Sequence, residues 1–240
     1  MTWLWWASLL ASLPISLPQA LWTKRTALRL PEAAGPQTGV AGQALAGQPF
    51  RLLVLGESPV AGVGVESQAH AITGQLAQAL SAHLQRPVAW RALGKNGITA
   101  RQAAVELLPQ VQDDYDQICL VFGVNDTTHF SSLRAWQQGM DCLISGLAAR
   151  SAAPIWLTAV PPLQHFHALP WLLRQLLGWR AHLLDRALQR LVVRRDAVHV
   201  NAEVPFSGAY LARDGYHPSA LGAQVWAQAL MQQVASRLTR

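Results

Sequence analysis

Charged side chains are scarce in this sequence. Asp, Glu, Lys and Arg together make up 13% of the 240 residues, and apolar residues make up 51%. Basic residues exceed acidic ones by 19 to 13, but they are scattered, with Lys24-Arg25 and Arg194-Arg195 as the only basic doublets. The sequence has no basic stripe interleaved with aromatic side chains, which argues against nucleic-acid binding. An anionic membrane surface explains the basic excess better, and a soluble basic enzyme is the alternative.

Cysteine is rare too, and internal repeats and low-complexity tails are missing. Cys119 lies in the apolar run 118–122, and Cys142 lies on a predicted helix. A free cysteine behaves as a small hydrophobic residue, so we expect both thiols to be buried rather than joined in a disulfide. A chain of this length can build one α/β domain with a full core, and two large domains are not expected.

Charge is missing altogether from the first stretch of the chain. This stretch, Met1 to Trp22, carries Trp3, Trp5, Trp6 and Trp22. Its length fits a membrane span, and tryptophans near both ends fit the two membrane interfaces. A secretory signal normally starts with a basic region, which does not occur here. Residues 1–23 are therefore predicted to be an uncleaved membrane anchor, with a cleaved signal and an apolar arm docked on the domain as alternatives.

The basic residues that follow the apolar stretch bear on its orientation. Lys24, Arg25 and Arg29 come directly after it. Positive flanks favour the cytoplasmic side of a membrane, so the rest of the chain is predicted to lie there, with a periplasmic or secreted location as the alternative. Residues 24–49, rich in Pro, Gly, Ala and Gln, are predicted to be a linker.

Beyond residue 49, short apolar runs alternate with helical patterns. Strands are predicted at 50–56, 88–92, 117–122, 154–159 and 197–200. Helices are predicted at 67–84, 99–111 with a break near Pro109, 132–149, 171–193 and 219–238. Continuous apolar strands that alternate with helices are typical of a parallel sheet covered on both faces. Residues 50–240 are therefore predicted to form one flavodoxin-like, three-layer α/β/α sandwich with about five strands.

Polar residues follow the first strand, where sites form in open parallel sheets. The segment Gly56-Glu57-Ser58 ends that strand, and Pro59 suits the first turn of a helix. Ser58 is therefore expected at a helix N-terminus, which favours developing negative charge. A capping serine without chemistry is the alternative.

The turns after the next two strands contain possible hydrogen-bond donors. Gly94-Lys95-Asn96-Gly97-Ile98-Thr99 follows the second strand, and glycine lets a backbone approach a ligand closely. Asn125 follows the third strand, and its amide is a neutral donor suited to an oxyanion hole. Each segment could also be an ordinary turn.

Asp214 and His217 lie in the loop before the last predicted helix. Their three-residue spacing can put both side chains on one side of the loop. A carboxylate that fixes the tautomer of a histidine makes that histidine an effective base for a serine. A turn-capping aspartate and a surface histidine are the alternatives.

Together, these segments resemble the motifs of the SGNH hydrolase superfamily, also called GDSL-type esterases and lipases. The resemblance runs from Phe50 to the C-terminus and includes a Gly-x-x-Gly-x-Thr block at 94–99. It implies that Ser58 is the nucleophile, His217 the general base and Asp214 the residue that orients it. It also implies an oxyanion hole formed by the backbone N–H groups of Ser58 and Gly97 and the side chain of Asn125.

The implied activity is hydrolysis of a small-molecule or lipid carboxylic ester through an acyl-Ser58 intermediate, without a cofactor or metal. A thioesterase, a lysophospholipase or an O-acyltransferase would use the same residues, and a membrane-attached binding protein on a retired hydrolase fold is the non-enzyme alternative. The sequence departs from the family at Glu57, usually Asp, at Pro59, usually Leu, and at Ala92, often Asn.

The remaining histidines suggest less. His165 and His167 have no carboxylate or thiol at ligand spacing, so a metal site is not expected. His129 is a candidate pocket residue. The segment 163–177 is either an amphipathic flap that contacts lipid or a helix packed on the sheet. The sequence does not indicate an oligomeric state.

Overall fold

The computed structural model describes residues 2–112, 114–206 and 208–238. Its helices are α1 (Thr2–Thr26), α2 (Ile72–Leu84), α3 (Ala100–Glu106), α4 (Val124–Thr128), α5 (Leu133–Ala148), α6 (Trp171–Val192) and α7 (Ala220–Leu238). Its strands are β1 (Thr38–Ala41), β2 (Phe50–Gly56), β3 (Val88–Gly94), β4 (Gln117–Val121), β5 (Ile155–Thr158) and β6 (Val198–Val200).

The strands form one mostly parallel sheet in the order β1-β3-β2-β4-β5-β6. Strands β2 to β6 pair in parallel. This confirms the predicted α/β class with a central parallel sheet. The sheet has one further strand, since β1, from the stretch predicted to be a linker, pairs antiparallel with β3.

Helices cover both faces of the sheet. On β2, Leu52 and Val54 point into the apolar cluster with α2 and α7, while Leu53 and Leu55 point into the cluster with α3, α5 and α6. This alternation is the two-residue period of a strand, and it explains why β2 reads as a continuous apolar run. Each fully buried leucine contributes about 2 kcal/mol, so the strand is anchored firmly between the two helical layers.

The topology brings three of the predicted segments to one edge of the sheet. In the central strands, Gly56 at the end of β2 is in register with Gly94 of β3 and with Val121 of β4. The segments that follow these three neighbouring strands carry Ser58 and Gly97, which lie in turns, and Asn125, which lies in α4. The loop with Asp214 and His217 precedes α7, as predicted.

The apolar N-terminal stretch forms one helix, α1, which packs on α6. The indole Nε1 of Trp5 donates to the carbonyl oxygen of Leu176 at 2.8 Å. Pro14 and Pro18 lie inside this helix. In the described part of the chain, α1 is the helix whose length and composition would allow it to cross a membrane.

The cysteines differ from the expectation in one respect. Both are free thiols, and Cys119 is buried in β4, but Cys142 is exposed on α5. The prediction that both would be buried was therefore wrong for Cys142. Its helix buries Trp136, Met140 and Leu143 against the core instead, so residue 142 lies on the opposite, solvent-facing side.

Candidate active site

Ser58 lies in a series of turns directly after β2. The backbone N–H groups of Val60 and Ala61 both donate to the carbonyl oxygen of Glu57, at 2.9 and 3.1 Å. In the described chain, no helix begins at Ser58, so the expected helix N-terminus is wrong. Gly62 and Gly64 have φ values of 76° and 100°, which right-handed helices exclude. These turns leave the Ser58 side chain at the sheet edge, with 5% of the residue exposed.

Ser58 is the first member of a continuous hydrogen-bonded chain. His217 Nε2 lies 2.9 Å from Ser58 Oγ. On the other side of the ring, His217 Nδ1 lies 2.6 Å from Asp214 Oδ2. Ser58 and His217 are 159 positions apart in the sequence, and the fold brings them together with Asp214. This arrangement can draw the hydroxyl proton of Ser58 toward the imidazole.

Asp214 is held in a defined position by its other oxygen. Oδ1 accepts the backbone N–H groups of Tyr216 and His217, both at 3.0 Å. Burial alone would raise the pKa of Asp214, but the hydrogen bonds from His217 and from these backbone groups outweigh it and lower that pKa. An ionised Asp214 keeps the proton of His217 on Nδ1 and leaves Nε2 free to accept another.

Donors also reach this edge of the sheet from the neighbouring turns. The Nδ2 amide of Asn125 donates to the carbonyl oxygen of Ile98 at 3.1 Å, which uses one of its two hydrogens. In the described chain, no acceptor is found for the backbone N–H groups of Ser58 and Gly97. Gly97 adopts a φ of 79°, and a Cβ there would meet no atom within 4 Å, so its backbone is open to a ligand.

Gly94, the other glycine of this block, has a packing role. A Cβ at Gly94 would lie 2.2 Å from the backbone nitrogen of Ala61, in the turns that follow Ser58. The end of β3 therefore packs directly against the turns that follow Ser58. The far end of the turn after β3 is fixed by Thr99, which caps α3 through a capping box with Gln102.

Glu57 connects the Ser58 turn to the Asn125 turn. It is 1% exposed, and its two oxygens accept the backbone N–H groups of Val124 and Asn125, each at 2.8 Å. Burial raises the pKa of Glu57 to about 8, against the opposing effect of these two backbone donors. In the sequence, Glu57 stands out only as a departure from the family, because no local pattern reveals its partners 67 and 68 positions away.

Asp126 is a second buried carboxylate that sequence reasoning did not assign to the site. It is 1% exposed, and its Oδ2 accepts the backbone N–H of Ala100 at 2.8 Å. It therefore ties the start of α3 to α4, and with them the turns that carry Gly97 and Asn125.

An apolar cavity of about 90 Å³ opens beside Ser58 and His217. Its walls come mainly from the loops after β5 and β6 and from α7, and include Val160, Pro162, Phe166, Phe206, Tyr216 and Trp226. The rings of Phe206 and Tyr216 lie 5.1 and 5.0 Å from that of Phe166. Burial raises the pKa of Tyr216, so it stays neutral. This cavity could not be predicted from the sequence, because the two loops have no periodic pattern.

The remaining histidines do not join Ser58. His165 stacks on Phe206 with ring centroids 6.4 Å apart, and His167 Nδ1 lies 2.7 Å from an Arg174 nitrogen. His129 is exposed, with Nδ1 2.9 Å from the carbonyl oxygen of Asn125, outside the apolar cavity. In the described part of the chain, no three His, Cys, Asp or Glu residues are grouped as metal ligands would be.

The model of the GDSL-like lipase/acylhydrolase family matches residues 54–225, which confirms the resemblance found in the sequence. No curated protein sequence matches the chain.

Solved structures share the fold. The psychrotrophic esterase EstA from Pseudoalteromonas sp. has a TM-score of 0.60 and 18% identity, over 79% of this chain and 99% of that one. A lipase/acylhydrolase from Enterococcus faecalis has a TM-score of 0.56 and 17% identity, over 78% and 96%. TesA has a TM-score of 0.58 and 16% identity, over 77% and 97%.

Proposed function

Because the chain belongs to the GDSL-like lipase/acylhydrolase family, whose members are hydrolases of ester bonds, we propose that it cleaves carboxylic esters through an acyl-Ser58 intermediate. The observation that carries this proposal is the chain of hydrogen bonds from Ser58 Oγ to His217 and on to Asp214, at 2.9 and 2.6 Å. Serine is a poor nucleophile without a base that takes its proton, and this geometry supplies one.

In the first half of the reaction, Ser58 Oγ attacks the ester carbonyl carbon while His217 Nε2 takes the hydroxyl proton. The carbonyl oxygen becomes an oxyanion, and Asp214 stabilises the imidazolium. Collapse of this intermediate breaks the bond to the alcohol oxygen, which leaves with the proton from His217. The product of this half is an ester between the acyl group and Ser58.

In the second half, water attacks the acyl-Ser58 carbonyl and gives a proton to His217. Collapse releases the carboxylic acid and returns that proton to Ser58 Oγ. We assign the stabilisation of both oxyanions to the backbone N–H groups of Ser58 and Gly97 and to the Nδ2 amide of Asn125. A donor of this kind contributes about 3 kcal/mol to the transition state.

The apolar cavity supports a short acyl chain as the group bound beside Ser58. A cavity of about 150 Å³ holds a benzene ring, so the smaller cavity here fits an acyl group of a few carbons. Its aromatic and proline walls offer no buried charge to an acidic or basic acyl group. The alcohol part of the ester would lie outside this cavity.

We also propose that α1 holds the enzyme at a membrane. Its length and apolar composition support this, as do the basic residues after it. For a helix that spans the membrane, Lys24, Arg25 and Arg29 would favour the cytoplasmic face for the domain.

The test is hydrolysis of p-nitrophenyl esters of increasing acyl length by the full chain. We expect turnover of the short esters, almost none with Ser58→Ala, and wild-type rates with the control Ser145→Ala, which changes an exposed serine of α5. Turnover by Ser58→Ala at the wild-type rate would contradict the mechanism. Equal assays with thioesters, and with an alcohol acceptor, separate ester hydrolysis from thioester cleavage and acyl transfer.

A further inference from the structure

The outer face of α1 is apolar, unlike that of a surface helix in a soluble domain. From Trp3 to Trp22, every exposed position of α1 is apolar. The polar positions in that stretch are buried or half-buried against the domain, namely Ser8, Ser12, Ser16 and Gln19. A helix on a soluble protein turns its apolar stripe inward and its polar face to water. The arrangement of α1 therefore fits a non-aqueous environment on its outer side.

The contact between α1 and the domain is specific at both ends. Near the start of α1, Trp5 is fully buried, donates to Leu176, and lies under the guanidinium of Arg180, whose carbon is 4.5 Å from the indole ring centroid. Near its end, Gln19 Oε1 accepts the backbone N–H of Leu173 at 3.2 Å. Leu173 lies in the first turn of α6, which has no side-chain cap of its own, so Gln19 satisfies one of its free donors.

These contacts fix how α1 can meet a membrane. Trp5 and Gln19 are fourteen residues apart, so roughly 21 Å of the helix lies along the domain surface. A helix that spans the hydrocarbon core must cross about 30 Å of lipid, which α1 cannot do while it is bound to α6 over that length. We propose that α1 stays docked on α6 and lies in the plane of a bilayer surface, with its outer apolar face in lipid.

Features next to α1 point to an anionic phospholipid bilayer as the partner. Trp171, two residues before the Leu173 contact with Gln19, is 66% exposed, and Phe130 is 41% exposed with its ring 5.9 Å from Trp5, so both are exposed aromatic groups close to the α1 contacts. Lys24 and Arg25 are exposed in the last turn of α1. Aromatic rings at the depth of the headgroups and basic side chains beside them are the groups that such a surface attracts.

The loop that lines the cavity beside Ser58 packs on α6, the helix on which α1 docks. The loop after β5 lines the cavity with Pro162 and Phe166, and its 3-10 turn at 163–165 packs on α6. If the chain is the proposed esterase, membrane docking identifies its substrate as an ester dissolved in, or drawn from, the bilayer. Only this substrate assignment rests on the proposed function. Binding itself is independent of catalysis and is tested separately.

Binding is measured by co-sedimentation of the full chain with phosphatidylcholine vesicles, with and without phosphatidylserine. We expect binding that is stronger with phosphatidylserine, and a loss of more than about tenfold for Leu10→Glu/Leu17→Glu, which puts charge on the outer face. The matched control is Val193→Glu, an exposed apolar residue of the domain, and it should bind like the wild type. Unchanged binding of the Leu10/Leu17 variant would overturn the inference.

The orientation of α1 is measured with single cysteines that replace Trp3, Leu10 or Leu21 in a Cys142→Ser background. A fluorescent label on each cysteine is quenched by groups at known depths in the bilayer. These three positions lie on one outer face of α1, since they are separated by 7 and 11 residues, close to whole turns. Equal, shallow depths at all three are expected. A Leu10 label much deeper than the other two would show a spanning helix and contradict the inference.

Two further outcomes keep the proposals apart. A dimer formed through the outer face, without vesicle binding, would assign that face to a second copy of the chain and overturn the membrane inference. Hydrolysis of a soluble p-nitrophenyl ester is assayed on the same samples without vesicles. Its absence in the wild type would reject the proposed esterase but leave the vesicle result standing.

Discussion

Glu57→Gln should lower both stability and turnover, because Glu57 holds the first turn of α4, which carries Asn125, by two hydrogen bonds. In the wild type, each carboxyl oxygen accepts one backbone N–H, from Val124 and from Asn125, at 2.8 Å. Glutamine has the same size but replaces one oxygen by an NH₂ group that cannot accept. The prediction holds for either protonation state of Glu57, since the hydroxyl of a protonated carboxyl can still accept a hydrogen bond.

The magnitude follows from one buried donor left without an acceptor. Such a donor costs about 1–3 kcal/mol of unfolding free energy. In a chain of this length, that corresponds to a fall of roughly 2–12 °C in Tm. If the loss lets Asn125 move, part of its proposed contribution to oxyanion stabilisation is lost too. Full loss of such a donor lowers kcat by about 10²–10³, so we expect a decrease in kcat of about 10-fold.

The assays are thermal unfolding by circular dichroism and hydrolysis of a short p-nitrophenyl ester at saturating concentration. Glu66→Gln is the matched control, because Glu66 is exposed and should change neither quantity. Glu57→Asp keeps the charge but has a shorter reach, so intermediate values are expected. A Glu57→Gln protein with wild-type Tm and kcat would refute the supporting role of Glu57.

Three further predictions concern the oxyanion donor, the cavity and pH. Asn125→Ala should lower kcat by about 10²–10³ with little change in KM, and a loss confined to KM would contradict its role. Phe206→Ala should widen the cavity and move the preferred p-nitrophenyl ester toward longer acyl chains, whereas an unchanged preference would place the acyl group elsewhere. Because burial raises the pKa of Glu57 from 4.5 to about 8, the folded state holds this proton more tightly than the unfolded chain. Its contribution to stability is therefore complete below about pH 4.5 and lost as pH rises through about 8, so Tm should fall over that range more steeply in wild type than in Glu57→Gln.

Elements set by local pattern could be predicted from the sequence. The apolar run at β2 gave its bounds without error, since the strand is buried on both faces. The bounds of α5, α6 and α7 were predicted to within two residues, because their buried apolar positions recur at helical spacing. Because neighbouring parallel strands end at one edge, the order of the motifs also indicated that Ser58, Gly97 and Asn125 would lie near each other.

Features set by distant contacts could not be predicted. β1 has only four residues in a Gly- and Ala-rich stretch, and its pairing with β3 determines it. Glu57 depends on backbone donors 67 and 68 positions away. The docked position of α1 depends on Leu176, 171 positions from Trp5.

The most direct test of the central claim is to identify the residue that becomes acylated. The full chain is treated with a fluorophosphonate, which forms a stable bond with an activated serine, and the labelled peptide is identified by mass spectrometry. With His217 Nε2 2.9 Å from Ser58 Oγ, we predict a single adduct on Ser58 and a rate of labelling that falls sharply in His217→Ala. An adduct on another residue, or no adduct while ester hydrolysis continues, would contradict the account.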